Sequence, residues 1–413
     1  MPAGRRLVQS ARSRCLRSTT ALVVCLAGVL SATAGAVPHV SRGHQIAADA
    51  SLTARLESTV RTSHLEYVFD EGRFSVFDID RGQKLVAQVA LPQARGVRGV
   101  AVSTHAPILY LSYGGDGGSN GNGSLLAFDL IHRQVLWTRE YGTGIDSFAL
   151  TPDGKRIYMP TGELSSGGQW LVLDAHSGQE LGAIDGPTGP HNTIVSLDGK
   201  RVYLGGRSSN YLAVASTASN RIVRQIGPLK DGVRPFTINA SQTLAFTTAT
   251  GFLGFQVSSI TTGKVLYTVP IRGYSYDPSS YSPSAPSHGV SLSPDGRQLY
   301  VIDGPNSAVH VFDVSRTPAS APRQVADIKL IHALDGQEDP CSNDCARDGW
   351  LQHSRNGRYV YVGDSGDVID TRTRKVVAFL PALRETRKML EVDWRAGKPV
   401  ATTSRSGVGY PKP

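Results

Sequence analysis

The chain has 413 residues, of which 43 are Lys or Arg and 34 are Asp or Glu, and its formal net charge is +9. Five of the positive charges lie in the first 36 residues, which contain no acidic residue, so only about +4 remains on the rest of the chain. No block of Lys and Arg follows, which argues against a nucleic-acid partner. No later run approaches the roughly 18 apolar residues of a membrane-spanning helix, so we expect no membrane span in the mature chain.

The chain begins with a pattern typical of a secretory signal peptide. An arginine-rich start is followed by the apolar run TALVVCLAGVLSATAGA, which ends in small residues. We therefore predict a signal peptide, a linker, a single domain and a tail, over residues 1–36, 37–60, 61–404 and 405–413. The mature protein is expected to be secreted or to lie in the periplasm or cell envelope. Export by the general secretory route and by the twin-arginine route both stay open.

Beyond that segment, short β-branched and aromatic runs alternate with turns rich in Gly, Asp, Asn and Ser, which is typical of an all-β protein. Aligning the chain on an Asp-Gly turn reveals seven units whose starts are 40 to 61 residues apart. DSFALTPDGKRIYMPTG from Asp146 and HGVSLSPDGRQLYVID from His288 are two of them. Each unit continues with further strands, and four strands are the size of a β-propeller blade.

The two ends of the predicted domain each supply part of one blade. EYVFDEGRFSVFDIDRGQKLVAQVAL, which starts at Glu66, provides a second, third and fourth strand without a first, and MLEVDW from Met389 provides only a first strand. Joining them closes a ring and ties the ends together. We therefore predict an all-β, seven-bladed propeller with four-stranded antiparallel blades, closed by N- and C-terminal strands that share one blade.

These repeats resemble those of a known superfamily. SPDGRQLYVID and TPDGKRIYMPTG, with the hairpin sequences VFDIDRGQKLVAQV and VIDTRTRKVVAFL, are similar to repeats of the YVTN/YncE-like propellers of the bacterial secreted type, across about residues 60–400. The resemblance implies the propeller fold. Proteins of this kind include binding proteins, lactone hydrolases, quinone-linked dehydrogenase subunits and, more distantly, polysaccharide lyases, so function must be argued from the site.

The first residues of the units point to one site, because the innermost strand of each blade lines the central channel and begins at one mouth. The aligned positions hold charged and imidazole side chains where small or apolar ones are usual: Arg98, Asp146, His191, Arg234 and His288, followed by Arg347 and Asp348. We expect them, with Asn192, Trp350 and His353, to surround a pocket for an anionic or polyhydroxylated small molecule. The alternative is a wet channel whose polar residues bind only water and backbone.

Two long connections between blades are expected at the same mouth. RGYSYDPSSYSPSAPS holds Tyr274, Tyr276 and Tyr281, which would stack on a ligand ring or supply an acid. HALDGQEDPCSNDCARDG holds Cys341 and Cys345, which an oxidising compartment would join in a disulfide, with free thiols as the alternative.

The residues leave the metal content open, and they make no cofactor certain. His191, His288 and His353 come from separate blades and would suit a divalent metal at the propeller axis, if their imidazoles meet. The loop GGDGGSNGNG offers oxygen ligands for Ca²⁺, although a flexible turn explains its glycines equally well. His353 is alternatively a polar residue held against backbone.

Two classes of function follow, and whether the protein is an enzyme stays open at this point. In the first, it cleaves uronic-acid-containing glycans by β-elimination: Arg98 and Arg234 neutralise the carboxylate, and a histidine or Tyr281 acts as base or acid. In the second, it is a non-catalytic binding or scaffold propeller of the cell envelope. A lactone hydrolase and an electron-transfer subunit are further alternatives. The expected ligand is a small molecule or a glycan, and the expected state is a monomer.

Overall fold

The computed structural model describes residues 52–58, 61–114, 123–164, 167–281, 283–342 and 345–403. The predicted signal peptide, the tail over 405–413 and most of the loop GGDGGSNGNG lie outside them. Within the described part of the chain, 29 strands form seven antiparallel sheets, which are the blades of a seven-bladed propeller. No helix of these residues is long and apolar enough to cross a membrane.

The blades are numbered here in chain order. Blade 1 contains β1 (Ser63–Asp70), β2 (Arg73–Asp78) and β3 (Lys84–Ala90), together with β28 (Met389–Arg395) and β29 (Lys398–Thr402). Blade 2 contains β4 (Val97–Val102), β5 (Ile108–Tyr113), β6 (Ser124–Asp129) and β7 (Gln134–Glu140). Blade 3 contains β8 (Ala149–Leu150), β9 (Arg156–Thr161), β10 (Gln169–Asp174) and β11 (Glu180–Asp185). Blade 4 contains β12 (Pro190–Val195), β13 (Arg201–Gly206), β14 (Leu212–Ser216) and β15 (Arg221–Ile226).

The remaining blades have the same order of strands. Blade 5 contains β16 (Val233–Ile238), β17 (Leu244–Ala249), β18 (Gly254–Ser259) and β19 (Val265–Pro270). Blade 6 contains β20 (Val290–Leu292), β21 (Gln298–Asp303), β22 (Ala308–Asp313) and β23 (Arg323–Lys329). Blade 7 contains β24 (Trp350–His353), β25 (Tyr359–Gly363), β26 (Asp367–Asp370) and β27 (Lys375–Phe379). Short helical segments lie at 52–57, at Ile79–Arg81 and at Pro381–Arg384.

An Asp-Gly or Asn-Gly turn follows the first strand of four blades and has the same contacts in each. In blade 4, the Ser196 hydroxyl donates to Oδ1 of Asp198 at 2.6 Å and accepts the backbone N–H of Arg201 at 3.0 Å. Gly199 has a φ of +69°, in the left-handed region that glycine adopts without strain. Blades 3, 6 and 7 repeat the hydroxyl contact, with an Asn in place of the Asp in blade 7. Because the turn repeats, the residue seven positions before it lies at the same point of each of these blades.

Strands from the two ends of the described chain meet in blade 1, as predicted. β28 pairs with β1 in an antiparallel register that runs from Ser63 opposite Trp394 to Val68 opposite Met389. The structure adds a fifth strand to this blade, because β29 pairs with the other edge of β28. β29 and the far ends of β4, β8 and β12 line a cavity of about 330 Å³.

The apolar core lies between neighbouring blades. One buried cluster joins blade 1 to blade 2 through Leu65, Trp394 and Leu111, and another joins blade 3 to blade 4 through Trp170 and Leu204. Each blade thus buries its faces against its neighbours, which leaves the axis available to polar side chains.

We predict that Trp394→Ala lowers the free energy of unfolding by about 3–5 kcal/mol, because it removes a fully buried indole where the ring closes. Urea denaturation measures this change. Leu181→Ala is the control: Leu181 is 57% exposed on the outer strand β11, and its loss should cost no more than about 0.5 kcal/mol. If the alanine variant does not fold, the same measurement is made on Trp394→Phe, which keeps an aromatic ring at this position. Equal effects at the two positions would contradict the role given to the closing strand.

Candidate functional site

The starts of the first strands surround a cavity of about 250 Å³ at one mouth of the channel. The residues predicted for the site that line it are Arg98, Asp146, His191, Asn192, Arg234, His288, Asp348 and Trp350. The lining also includes Ser147, Glu163, Arg207, Pro283, Ser284, Ala346, Arg387 and Lys388. Blades 2 to 7 and the residues just before β28 all contribute, so side chains that are distant in sequence share one space.

One side of the cavity is built around Asp146 and His191. The Nδ1 atom of His191 lies 2.5 Å from Oδ2 of Asp146 and 3.6 Å from Oε1 of Glu163. An Arg98 guanidinium nitrogen donates to Glu163 at 2.7 Å, and Nε of Arg98 lies 3.6 Å from Asp146. Arg207 also binds Glu163. Each carboxylate of this side therefore has a guanidinium beside it, as buried carboxylates require.

The opposite side is built around His288 and Asp348. The Nδ1 atom of His288 lies 3.1 Å from Oδ1 of Asp348 and 3.1 Å from the carbonyl oxygen of Gly349, and the Arg387 guanidinium binds the same carboxylate. Burial, and then the positive charges of Arg234 and Arg387, hold the pKa of His288 well below its usual value. This imidazole is therefore neutral at physiological pH.

The two imidazoles face one another across the cavity. Their ring centroids are 6.3 Å apart, and the Trp350 ring lies edge-on to His288 at 5.8 Å. Both rings contact their carboxylates through Nδ1, which leaves the Nε2 atoms on the far side of each ring. The Nε2 atom of His191 is buried and has no hydrogen-bond partner among the described residues, and the same is true of the Asn192 side-chain amide. Such buried groups are usually completed in folded proteins by ordered water or by a bound molecule.

The cavity carries excess positive charge. The described lining contains five cationic side chains and three carboxylates: Arg98, Arg207, Arg234, Arg387 and Lys388 against Asp146, Glu163 and Asp348. Counted without the imidazoles, the lining therefore has two positive charges in excess, which favours an anionic ligand.

Asp146, Glu163 and His191 also have ligand atoms within 4.8 Å of one another, an arrangement that a metal ion would require. However, the guanidinium groups of Arg98 and Arg207 already balance the two carboxylates. A cation would have to displace or repel them, so charge favours an anion over a metal at this mouth.

Several predicted site residues lie outside this lining as the structure describes it. Tyr274 packs edge-on against His310 at 4.5 Å, and the Tyr276 hydroxyl donates to the carbonyl oxygen of Gly251 at 2.9 Å. Tyr281 belongs to the same loop and is half-buried, and burial raises the pKa of its hydroxyl. Arg347 donates to Glu385 at 2.6 Å. From this loop, Pro283 and Ser284 are the described residues that line the cavity.

His353 lies apart from the other two histidines. Its Nδ1 atom is 2.8 Å from the Ser291 hydroxyl, and its ring packs edge-on against Tyr300 at 4.8 Å. It packs against the first two strands of blade 6, β20 and β21, and is not part of the described cavity wall, so the three imidazoles do not form one metal site. The other cation alternative, Ca²⁺ in GGDGGSNGNG, falls on residues outside those described.

Glu163 and Arg207 are site residues that the sequence did not single out. They follow the second strands β9 and β13 within two residues, in connections that open on the same mouth as the strand starts. A charged residue directly after the second strand in two successive units was the signal that would have identified them.

Cys341 and Cys345 form the predicted disulfide, with their Cα atoms 5.7 Å apart.

No protein-family model matches the chain, and no curated protein matches it. Among solved structures, the chain is similar to a functionally unknown protein from Desulfotomaculum acetoxidans DSM 771, with a TM-score of 0.59 and 13% identity over 80% of this chain and 99% of that one. It also matches Kuenenia stuttgartiensis hydrazine synthase, with a TM-score of 0.48 and 19% identity over 67% of this chain and 77% of that one. The similarity to the Desulfotomaculum acetoxidans protein supports the propeller fold alone. The similarity to hydrazine synthase is too weak to support any conclusion.

The burial of His353 predicts a pH dependence of stability. Burial lowers the pKa of His353 to about 3, whereas the unfolded chain binds this proton near pH 6.5. The unfolded state alone is protonated between those values, so stability falls as the pH drops below 6.5, by about 2 kcal/mol at roughly pH 5. His353→Asn should remove this contribution, and urea denaturation across the pH range measures the difference. Parallel stability curves for the two proteins would contradict the assignment.

Proposed function

We propose that the protein binds a carboxylate-bearing, polyhydroxylated molecule in the axial cavity and cleaves it by β-elimination, with His191 as the base. The observation that carries the proposal is the buried Nε2 atom of His191, which has no hydrogen-bond partner in the described chain and belongs to a cavity with excess positive charge. The best-fitting substrates are uronic-acid-containing glycans.

Asp146 would prepare His191 for this role. Its carboxylate, 2.5 Å from Nδ1, accepts the Nδ1 proton and so leaves the lone pair on Nε2. It also stabilises the imidazolium that forms when Nε2 takes a proton. Asp146 is therefore a positioning residue in this proposal, and it is itself held by Arg98.

Arg234 is the residue we assign to the substrate carboxylate. Arg98, the other arginine expected in this role, binds Glu163 and Asp146 and so holds the carboxylate that positions His191. Arg234 is buried in the cavity wall and close enough to His288 to lower its pKa. A guanidinium that binds the carboxylate withdraws charge from it, which acidifies the neighbouring C–H bond.

The elimination then balances within the cavity. His191 takes the proton from the carbon next to the carboxylate, and the electron pair of that C–H bond forms a carbon–carbon double bond. The bond between the next carbon and its oxygen substituent breaks, and the oxygen leaves with its electrons. Tyr281 lies outside the described lining, so we assign the return of a proton to the leaving oxygen to the His191 imidazolium, on the same face of the sugar.

The size of the cavity limits the substrate. A volume of about 250 Å³ lies below the roughly 300–1,000 Å³ of pockets that enclose drug-sized ligands. Pro283 and Ser284, from the long connection between blades 5 and 6, form part of its wall. We therefore infer that one sugar ring enters at a time, and that cleavage occurs at the end of a glycan.

The wider biological setting is part of the same proposal. The resemblance of the repeats to YVTN/YncE-like propellers and the basic, apolar start of the chain support a secreted or cell-envelope protein of that superfamily. The disulfide between Cys341 and Cys345 agrees with an oxidising compartment. The site requires no second subunit, so we propose that the protein acts as a monomer.

A non-catalytic carboxylate-binding propeller is the second candidate. It is favoured by one observation: both imidazoles are held by carboxylates through Nδ1, and no tyrosine hydroxyl is part of the described wall as a separate acid. A lactone hydrolase in which His191 activates water would use the same cavity.

Incubation of the mature protein with oligouronides should generate the ultraviolet absorbance of an unsaturated uronate. His191→Ala should lower kcat/KM by about 10²- to 10⁴-fold, because it removes the base. Arg234→Gln should weaken substrate binding by roughly 10- to 100-fold. His176→Ala changes an exposed histidine on the turn after β10 and should leave both constants unaltered.

Carboxyl-reduced oligosaccharides, lactones and added chelator complete this test. Binding of oligouronides without turnover would assign the protein to the second candidate, and turnover of lactones alone would assign it to the hydrolases. Uronate cleavage that survives His191→Ala and Arg234→Gln would show that the site has been misassigned.

A further inference from the structure

A second cluster of ionisable side chains lies where the ring closes. We call His64, Glu66, Glu391 and Asp393 the seam cluster. His64 is opposite Asp393, and Glu66 is opposite Glu391, on the ladder between β1 and β28. Because side chains two apart on a strand point to the same face, these two pairs occupy neighbouring positions on one face of the sheet.

The seam cluster is separate from the axial cavity. Lys388, which lines the cavity, immediately precedes β28, and Asp393 follows five residues later along the same strand. An extended strand covers roughly 16 Å over that distance. The two clusters therefore lie towards opposite ends of the closing strand.

Three ligand atoms already converge in the seam cluster. Nδ1 of His64 lies 2.6 Å from Oδ1 of Asp393 and 3.6 Å from Oε1 of Glu391, and the three residues have ligand atoms within 4.8 Å of one another. Ligands about 2.1 Å from a tetrahedral ion are roughly 3.4 Å apart. The His64–Glu391 spacing fits that value, and the His64–Asp393 spacing would have to open by less than about 1 Å.

The charges of the seam cluster are only partly balanced. Arg355 is the cation beside it: its Nε lies 3.2 Å from Asp393, and its backbone N–H donates to Glu391 at 2.7 Å. Glu66 is fully buried, and neither of its carboxylate oxygens has a hydrogen-bond partner among the residues that the structure describes. Three carboxylates thus face one guanidinium and one imidazole, in contrast to the arginine-rich axial cavity.

We propose that the seam cluster binds one divalent first-row metal ion, of the Mn²⁺ or Zn²⁺ type. The ligands would be the His64 imidazole and carboxylate oxygens of Glu391, Asp393 and Glu66. One imidazole with several carboxylates suits these ions better than Ca²⁺ or Mg²⁺, which prefer oxygen ligands alone. His64 has 31% of its side chain exposed and gives the ion access from solvent.

The ion would reinforce the closure of the ring. Its ligands come from two strands that lie more than three hundred residues apart in sequence, so it can bind only when β1 and β28 are paired. A ligand that binds the folded state alone stabilises it, and the melting temperature then rises with the concentration of free ion.

The test uses the mature protein after removal of metals by chelation. Titration with Mn²⁺, followed by the loss of the free-ion electron paramagnetic resonance signal, and calorimetric titration with Zn²⁺ should both give one site per chain. The melting temperature should rise by a few degrees on saturation. Glu391→Gln and His64→Asn should each weaken binding at least 10-fold. Glu66→Gln should weaken it less, because Glu66 is not among the three residues whose ligand atoms already lie within 4.8 Å of one another.

Glu163→Gln is the matched control, since it removes a carboxylate from the only other His-carboxylate group of this kind in the described chain and should leave the affinity unchanged. Loss of binding in that variant would place the ion in the axial cavity and overturn the proposal. Failure to bind Mn²⁺ or Zn²⁺, or binding that survives both Glu391→Gln and His64→Asn, would overturn it as well. If the seam cluster binds no ion, a proton on Glu66 replaces it, because burial raises the pKa of the Glu66 carboxyl. His64→Asn decides the matter if Glu391→Gln does not fold, because His64 is partly exposed.

Discussion

The pairing of β28 with β1 is the constraint on which the rest of the molecule depends. A propeller blade has no partner for its faces other than the neighbouring blades, so a ring that stays open exposes the apolar sides of blades 1 and 7. The antiparallel register between Ser63 and Trp394 closes that gap. It also delivers Arg387 and Lys388, the residues just before β28, to the axial cavity. Fold closure and site assembly are therefore the same structural event, and a weakened seam would be expected to affect both.

A second constraint explains why chemically unlike residues meet at the axis. The Asp-Gly turn lies seven residues after Asp146, His191 and His288, and its hydroxyl-carboxylate contacts are the same in all three blades. The backbone therefore repeats while the side chain at the strand start is free to differ. Burial at that convergence point changes the chemistry of the residues, as the lowered pKa of His288 shows.

The sequence predicted the seven blades, the shared blade and the group of first-strand residues because each depends on a repeat that is visible in one dimension. Glu163 and Arg207 were missed because the site prediction considered only the starts of the first strands, whereas these two residues follow the second strands β9 and β13. Tyr274 and Tyr276 were expected at the cavity because their loop begins there, but a loop of that length can direct its side chains elsewhere. β29 was missed because KPVAT is short and contains a proline, and its strand character depends on the free edge of β28.

The two His-carboxylate clusters show how neighbouring charges, and not the residue types themselves, decide what a site can bind. Asp146, Glu163 and His191 resemble the seam cluster in composition and spacing. In the axial cavity, Arg98 and Arg207 bind those carboxylates, and the lining contains more cationic than anionic side chains. In the proposed reaction, Nε2 of His191 accepts the proton. In the seam cluster one arginine and one histidine face three carboxylates, so the deficit is one of positive charge, and a metal ion or a proton must supply it. Short-range ligand geometry alone would have assigned both clusters the same function, whereas the sum of buried charges assigns an anion to one and a cation to the other.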